Sequence, residues 1–118
     1  MKCLAVNTAT AYLSIALVDG DDVLYRFQTD DTRQQGNILM AHVGEALQKN
    51  SLTYQDINLL AVVTGPGRFT GIRIGLAAIR GIALAASLPV MGVSSFDMFF
   101  EPKEDSVNVI AVESWRDE

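Results

Sequence analysis

The residues from 64 to 81, which read TGPGRFTGIRIGLAAIRG, form the segment of this sequence whose composition is best suited to binding a ligand. They include five glycines and one proline, and arginine is their only charged residue type. Glycine-rich loops that open onto a helix often hold a phosphate group, because backbone N–H groups and the positive end of the helix dipole meet there. The segment is therefore a candidate nucleotide-binding loop.

The spacing of the glycines matches neither of the two common phosphate-binding motifs. For the P-loop, G-x-x-x-x-G-K-[ST], Gly65 and Gly71 are one position too far apart, and Ile72 stands where lysine should follow. For the dinucleotide motif, G-x-G-x-x-G, Gly65 and Gly67 fit but Thr70 replaces the third glycine. An anion bound at the start of the helix remains a weaker alternative.

We interpret the loop mainly as a structural turn. Gly65, Pro66 and Gly67 are predicted to turn the chain away from a strand. Thr70 is predicted to be the N-cap of the following helix, because a threonine hydroxyl accepts a hydrogen bond from one of the free N–H groups at a helix start.

The first hairpin, NTATAYLS, is a second candidate for a phosphate contact. A strand that ends in a polar residue and is followed by Thr-Ala-Thr can present hydroxyl and backbone N–H groups to an anion. Asn7 cannot offer a carboxylate to a metal ion. We therefore interpret Asn7, Thr8 and Thr10 as a vestigial phosphate loop that holds neither a metal nor a cofactor.

Other patterns of catalytic residues are missing from the sequence. His42 is the only histidine, whereas the metal sites of zinc hydrolases use at least two. No serine lies in a G-x-S-x-G motif, and the single cysteine, Cys3, lies in an apolar run typical of a core position. The sequence therefore predicts no catalytic residue and no set of metal ligands.

Length and charge limit the possible classes of protein. At 118 residues the chain has the length of one domain. Its net charge of −5 makes it a poor candidate for gripping nucleic acid or an anionic membrane by itself. A single cysteine and a short N-terminal apolar run favour a reducing cytoplasm over secretion.

The hydrophobic pattern predicts an α/β fold with the order β-β-β-α-β-α-β. Three strands, KCLAVNTA, YLSIALVDG and DVLYRFQT, are joined by tight turns and are therefore predicted to be antiparallel. Helical periodicity covers residues 33–49 and 70–86, and the apolar runs at 59–64 and 88–93 are typical of buried strands.

The last residues do not complete this pattern. Residues 101–106 resemble a linker, and residues 107–114 resemble a strand that has no partner in the remaining sequence. We therefore divide the chain into an N-terminal lobe, residues 1–100, and a linker with the first strand of a truncated second lobe, residues 101–118. On this interpretation the sequence is a fragment of a longer protein.

Both predicted helices carry small or apolar residues at helical spacing. A glycine inside a helix lowers stability by about 1 kcal/mol relative to alanine, so glycines there require a packing reason. We predict that the two helices share one face of the sheet and form a surface for a partner; tight helix-on-sheet packing alone is the alternative. The predicted interface residues are Leu39, His42, Val43 and Ala46 on the first helix and Gly71, Ile72, Gly75, Ala78 and Ile82 on the second.

Taken together, these segments resemble one family. LAVNTATAYLSIAL, TGPGRFTGIRIGLAAIRGIALA and LPVMGVSS follow one another as in the N-terminal lobe of the bacterial TsaB (YeaZ) family, and the string GPG-x-FTG-x-RIG is the most specific part. The likeness runs through residues 1–100. The family usually has aspartate and serine at two positions where this chain has Asn7 and Arg68.

The resemblance implies an actin-like, RNase H-like lobe, with a mixed five-stranded sheet and helices packed on it. It implies a role in making N6-threonylcarbamoyladenosine at position 37 of tRNA, as the non-catalytic subunit that pairs with TsaD. The catalytic paralogue TsaD carries a two-histidine metal motif, which the lone His42 cannot supply.

The same resemblance implies the ATPase TsaE as a further member of the complex, contact with tRNA only through the complex, and no membrane. In isolation we expect a homodimer, since a self-complementary patch is commonly paired symmetrically. Two other classes stay open: an ATP-binding catalytic member of the superfamily, similar to TsaD, and a free-standing nucleotide-binding module.

Overall fold

A computed structural model describes residues 1–31 and 33–98 of the chain. Over these residues the order of the elements confirms the predicted β-β-β-α-β-α-β pattern, which a short third helix follows. The elements are β1 (Lys2–Asn7), β2 (Leu13–Asp19), β3 (Asp22–Thr29), α1 (Gln35–Lys49), β4 (Leu59–Gly65), α2 (Phe69–Ala86), β5 (Val90–Ser94) and α3 (Ser95–Met98). A short 3₁₀ turn at Tyr54–Asp56, between α1 and β4, was not predicted.

The five strands form one mixed sheet in the order β3-β2-β1-β4-β5. β1, β2 and β3 pair antiparallel, because the connections between them are too short for a crossover. β4 pairs parallel to β1 and to β5, because α1 and α2 carry the chain back across the sheet. A mixed five-stranded sheet with helices packed on it is what the resemblance implied.

Both long helices pack on the same face of the sheet, as predicted. One buried cluster joins inward side chains of the strands to those of the helices. Its strand members are Leu4, Val6, Leu13, Ile15, Leu17, Leu60 and Val62, and its helix members are Leu39, Val43, Ala46, Leu47, Ile79 and Ile82. The two helices also contact each other, so α2 is covered by the sheet on one side and by α1 along part of another.

Helix α2 is long and apolar enough, by length and composition, to cross a membrane. It packs against β4 and α1, however, and Arg73 and Arg80 lie on its exposed side. Packing within the fold therefore explains why the inner side of α2 is apolar, whereas its outer side remains exposed.

The predicted division at residue 100 falls outside the described residues. The predicted linker at 101–106 and the predicted strand at 107–114 lie there too, so the second lobe and the fragment interpretation stay predictions.

Candidate functional site

The end of β1 is shaped by the side chain of Asn7. Its Oδ1 accepts a hydrogen bond from the backbone N–H of Ala9 at 3.0 Å, and its Nδ2 donates to Oγ1 of Thr10 at 2.8 Å. Both functional atoms of the Asn7 amide are thus used to close the turn between β1 and β2. Asn7 is also buried, so its role in this structure is to hold the turn.

The β1–β2 turn docks onto the start of α2. Thr8 is fully buried, and its hydroxyl donates a hydrogen bond to the carbonyl oxygen of Gly71. From the other side, the backbone N–H of Arg68 donates to the carbonyl oxygen of Ala9 at 2.7 Å. We call this contact between residues 7–10 and residues 67–75 the turn–helix interlock.

Three glycines make the interlock possible. A Cβ atom on Gly67 would collide with the carbonyl oxygen of Ala9, and one on Gly71 would collide with the carbonyl oxygen of Thr8. A Cβ atom on Gly75 would meet Oγ1 of Thr8 and lie 3.6 Å from Cγ2 of Val62. These glycines therefore serve close approach of the chain to itself.

The loop before α2 is a turn, as predicted. Gly65 has φ +105°, a conformation that side-chain-bearing residues rarely adopt, and the Gly65–Pro66 peptide bond is cis. The prediction of the N-cap was wrong: α2 begins at Phe69, so the N-cap is Arg68 and Thr70 is the second helical residue. The reason is that the N–H of Ile72 donates to the carbonyl oxygen of Arg68 at 2.9 Å, which makes Arg68 the acceptor of the first helical hydrogen bond, while the N–H of Arg68 itself donates to Ala9.

The same contact bears on anion binding. An anion at a helix start is held by backbone N–H groups that have no partner within the helix. Here one such donor, the N–H of Arg68, is already occupied by Ala9, and the hydroxyls of Thr8 and Thr10 are engaged within the chain. The groups proposed as a vestigial phosphate loop therefore stabilise the turn–helix interlock.

The burial of the predicted interface residues requires a correction. Leu39, Val43, Ala46, Gly71, Gly75 and Ile82 are buried within this chain, and Ile72 and Ala78 are half-buried. Small residues on the inner side of α2 admit the β1–β2 turn, and the apolar residues of α1 contact the sheet. The six buried residues therefore belong to the core, which leaves them no free surface for a partner.

A different set of small and apolar residues is exposed on the outer side of the two helices. We call it the outer helix surface; it consists of Met40, Ala41 and Gly44 on α1 and Ala77, Gly81 and Leu84 on α2. Leu84 is 86% exposed. Among the described residues, 1–31 and 33–98, a Cβ atom on Gly44 or Gly81 would have no neighbour within 4 Å, so no contact there explains either glycine.

His42 lies in a polar and aromatic cluster that sequence reasoning missed. Its Nδ1 lies 2.6 Å from Oη of Tyr25 and 3.2 Å from Oε2 of Glu45, and its ring stacks on Phe27 with centroids 3.5 Å apart. Lys49 pairs with Glu45 at 3.0 Å. The signal was present in the sequence as alternate aromatic residues on β3 and polar residues at positions i, i+3 and i+7 of α1, but only the fold brings the two together.

The described part of the chain, residues 1–31 and 33–98, contains no group of three His, Cys, Asp or Glu side chains that could hold a metal ion. Cys3 is half-buried, and burial raises the pKa of its thiol. A raised thiol pKa lowers the fraction of reactive thiolate.

Comparison with known proteins points to one family. The family model described as TsaD, tRNA N6-adenosine threonylcarbamoyltransferase, matches residues 30–108. The tRNA threonylcarbamoyladenosine biosynthesis protein TsaB of Escherichia coli (strain K12) is 39% identical over 95 residues, which cover 80% of this chain and 41% of that protein.

A solved structure and a second curated relative agree with that result. YeaZ from Pseudomonas aeruginosa superposes with a TM-score of 0.75 at 28% identity, over 80% of this chain and 44% of its own. The tRNA N6-adenosine threonylcarbamoyltransferase of Shouchella clausii (strain KSM-K16) is 40% identical over 62 residues, which cover 52% of this chain and 18% of that enzyme. The chain thus spans less than half the length of each of the three proteins.

Proposed function

We propose that this chain, which belongs to the family described as TsaD, tRNA N6-adenosine threonylcarbamoyltransferase, is not the catalytic member. Its proposed role is that of a TsaB-type, non-catalytic subunit in threonylcarbamoyladenosine biosynthesis. The proposed product is N6-threonylcarbamoyladenosine at position 37 of tRNA. Because tRNA modification of this kind takes place where bacterial tRNA is, the proposal includes a cytoplasmic location.

The turn–helix interlock is the observation that carries the non-catalytic part of the proposal. A glycine loop that opens onto a helix is a ready phosphate site only if its backbone donors are free. In this chain Ala9 takes up one of those donors, the N–H of Arg68, and the hydroxyl of Thr8 binds the carbonyl oxygen of Gly71, so the β1–β2 turn lies against the start of α2. Asn7 is engaged in the same turn and has no carboxylate for a metal-bound nucleotide.

The proposed partner is TsaD, and through it the complex that includes TsaE. The outer helix surface supports this part of the proposal, because a helix pair that exposes small residues lets a second helix pair approach closely. Gly44 and Gly81 have open space in front of them, and Leu84 supplies an exposed apolar anchor. In isolation the same surface would pair two copies of this chain symmetrically. Contact with tRNA would be made only through the complex.

Reconstitution of the reaction tests the proposed role. TsaD and TsaE are incubated with tRNA, ATP and the threonylcarbamoyl precursors, with and without this chain, and the modified nucleoside is measured by mass spectrometry. We expect no product from this chain alone and a clear increase when it joins the other subunits. No increase would contradict the role, and product from the chain alone would contradict its non-catalytic nature.

The second candidate is an ATP-binding enzyme similar to TsaD. The similarity to the Shouchella clausii transferase favours it, since that protein is named for the transferase reaction. The two candidates differ in nucleotide binding, which isothermal titration with Mg-ATP measures directly. We expect no micromolar binding to this chain; a clear micromolar isotherm would favour the enzyme.

The outer helix surface is tested with two matched glycine variants. Gly81→Leu places a bulky side chain on the outer side of α2, so we expect it to block association while the fold is retained. Gly75→Leu places the same side chain on the inner side, against Thr8 and Val62, and is expected to lower stability by about 1–3 kcal/mol or more. Sedimentation and thermal melting separate the two effects, and wild-type association of Gly81→Leu would remove Gly81 from the surface.

A further inference from the structure

Three polar atoms meet between β3 and α1, away from the turn–helix interlock. Oη of Tyr25 lies 2.6 Å from Nδ1 of His42 and 2.9 Å from Oε2 of Glu45, and the latter two atoms are 3.2 Å apart. Every pair is close enough for a hydrogen bond or a charge-assisted contact. We call these three residues the β3–α1 triangle.

The charge states of two of its members are clear. Hydrogen bonds from Lys49 and Tyr25 hold the pKa of Glu45 below its ordinary value, so at neutral pH its carboxylate only accepts hydrogen bonds. Burial and the neighbouring Glu45 raise the pKa of Tyr25 to about 12, so its hydroxyl keeps its single proton.

Counting protons then decides which nitrogen of His42 carries one. If Nδ1 had no proton, the one hydroxyl proton of Tyr25 would face two acceptors, Nδ1 and the Glu45 carboxylate, and one contact would lack a hydrogen. If Nδ1 carries the proton, it donates to Oη of Tyr25, and Tyr25 donates to Glu45. Only the second arrangement satisfies the triangle.

We propose that Tyr25 and Glu45 hold His42 with its proton on Nδ1 and thereby fix the rotation of α1 about its axis. The side chains that α1 contributes to the buried cluster, Leu39, Val43, Ala46 and Leu47, are apolar, and the hydrophobic effect that buries them is not directional. The hydrogen bonds of the triangle and the stacking on Phe27 are directional, and they act on the flank of α1 that faces β3. His42 is thus a positioning residue for the helix.

The consequence for association rests on the proposed function. Met40, Ala41 and Gly44 lie next to His42 along α1 and form half of the outer helix surface. A rotation of α1 would displace these residues relative to Ala77 and Gly81 on α2. The triangle therefore keeps the two halves of the surface in register for a partner.

Nuclear magnetic resonance of the imidazole nitrogens tests the proton assignment without any partner. Because the chain contains a single histidine, only one set of imidazole signals is expected. In spectra recorded at about pH 8.5, we expect a protonated Nδ1 and a bare Nε2 in the wild type. A protonated Nε2 in the wild type would overturn the proposal.

Two variants of the triangle should behave differently. Glu45→Ala removes the second acceptor, so Tyr25 can donate to Nδ1 and the proton should move to Nε2. Tyr25→Phe leaves the Glu45 carboxylate 3.2 Å from Nδ1, so the proton should stay on Nδ1. The control Lys49→Ala removes the ion pair with Glu45 but should keep the wild-type pattern. The same pattern in Glu45→Ala as in the wild type would contradict the proton count.

Association with TsaD tests the consequence for the outer helix surface. We expect Glu45→Ala to weaken binding by about threefold to tenfold, and Lys49→Ala to leave it unchanged. A Glu45→Ala variant that moves the proton but binds TsaD like the wild type would overturn the positioning role. If the wild type does not bind TsaD at all, the proposed function fails while the nitrogen signals still decide the proton assignment.

Discussion

The inner and outer sides of α2 carry the same residue types and have opposite surroundings. On the inner side, Gly71 and Gly75 leave room for Thr8, and a Cβ atom on either would collide with it. On the outer side, Gly81 has open space in front of it and Leu84 is exposed. The glycines on the inner side are therefore in contact with other parts of this chain, whereas Gly81 on the outer side has no such contact among the described residues.

This difference separates two reasons for a glycine in a helix. Gly71 and Gly75 reduce the intrinsic stability of α2, and the interlock compensates by burying Thr8 and satisfying its hydroxyl. Gly81 reduces it equally, but no contact with the part of the chain that the structure describes compensates. The predictions that follow test this asymmetry in order of their expected effect on the stability of the chain.

The largest effect is expected from Gly71→Ala. The added methyl group would meet the carbonyl oxygen of Thr8, and a backbone atom cannot move aside as a flexible side chain can. We expect the free energy of unfolding to fall by about 3 kcal/mol, at the upper end of the range for overpacking. Urea denaturation followed by circular dichroism measures the loss. A loss below that of Thr8→Val would show that the turn can shift away from α2 at little cost.

A smaller effect is expected from Thr8→Val, which keeps the shape of the side chain but removes its hydroxyl. The buried hydrogen bond to the Gly71 carbonyl would be lost, and we expect a decrease of about 1–2 kcal/mol in the free energy of unfolding. The matched control, Thr8→Ser, keeps the hydroxyl and should lose less. If serine at this position destabilises more than valine, packing of the methyl group would be the dominant contribution.

The sequence predicted the sheet more successfully than it predicted the helix faces. Alternating residues such as Leu13 and Ile15, with a tight turn at Gly20, determine the antiparallel pair of β2 and β3 locally. The side of α2 that meets the sheet is not a local property, because small residues occur at Gly71, Gly75, Ala77 and Gly81 around the whole helix. Their spacing alone could not separate the face that admits Thr8 from the outer face.

In the candidate site, too, the sequence predicted local features but not contacts between residues that are distant in the chain. The mismatch with both phosphate motifs was visible in the positions of Gly65, Gly67 and Gly71. That Arg68 is the N-cap and that its N–H binds Ala9 could not be predicted, because the two residues are far apart in the chain and meet only when β1 and β4 pair. The contact of His42 with Tyr25 depends on the packing of α1 against β3 for the same reason.

On the outer side of α2, adding a methyl group to a glycine should raise the stability of the chain instead of lowering it. Gly81→Ala adds a methyl group that meets nothing within 4 Å, and alanine is the better helix former. We expect the free energy of unfolding of the isolated chain to rise by about 1 kcal/mol. Thermal melting of this variant beside Gly71→Ala measures the asymmetry directly. A destabilised Gly81→Ala monomer would mean that the outer side is not open in solution.

The last prediction concerns the contact between α1 and β3, where the effect appears only as a dependence of stability on pH at the alkaline end. Burial and the neighbouring Glu45 carboxylate raise the pKa of Tyr25 to about 12, above the ordinary value near 10 for an unfolded chain. Because the folded state holds the phenol proton more tightly, it gains stability at every pH below the pKa of the unfolded chain. This gain in the free energy of unfolding is lost as pH rises from about 10 to about 12. Stability should therefore fall over that range, and Tyr25→Phe should flatten the fall. Tyr54, whose pKa is also raised by burial, provides the control, since Tyr54→Phe removes a half-buried phenol that has no carboxylate partner among the hydrogen bonds of the described residues. Equal slopes for the wild type and Tyr25→Phe would show that the β3–α1 triangle does not hold the phenol proton, and the structural distinction would then rest on the two sides of α2 alone.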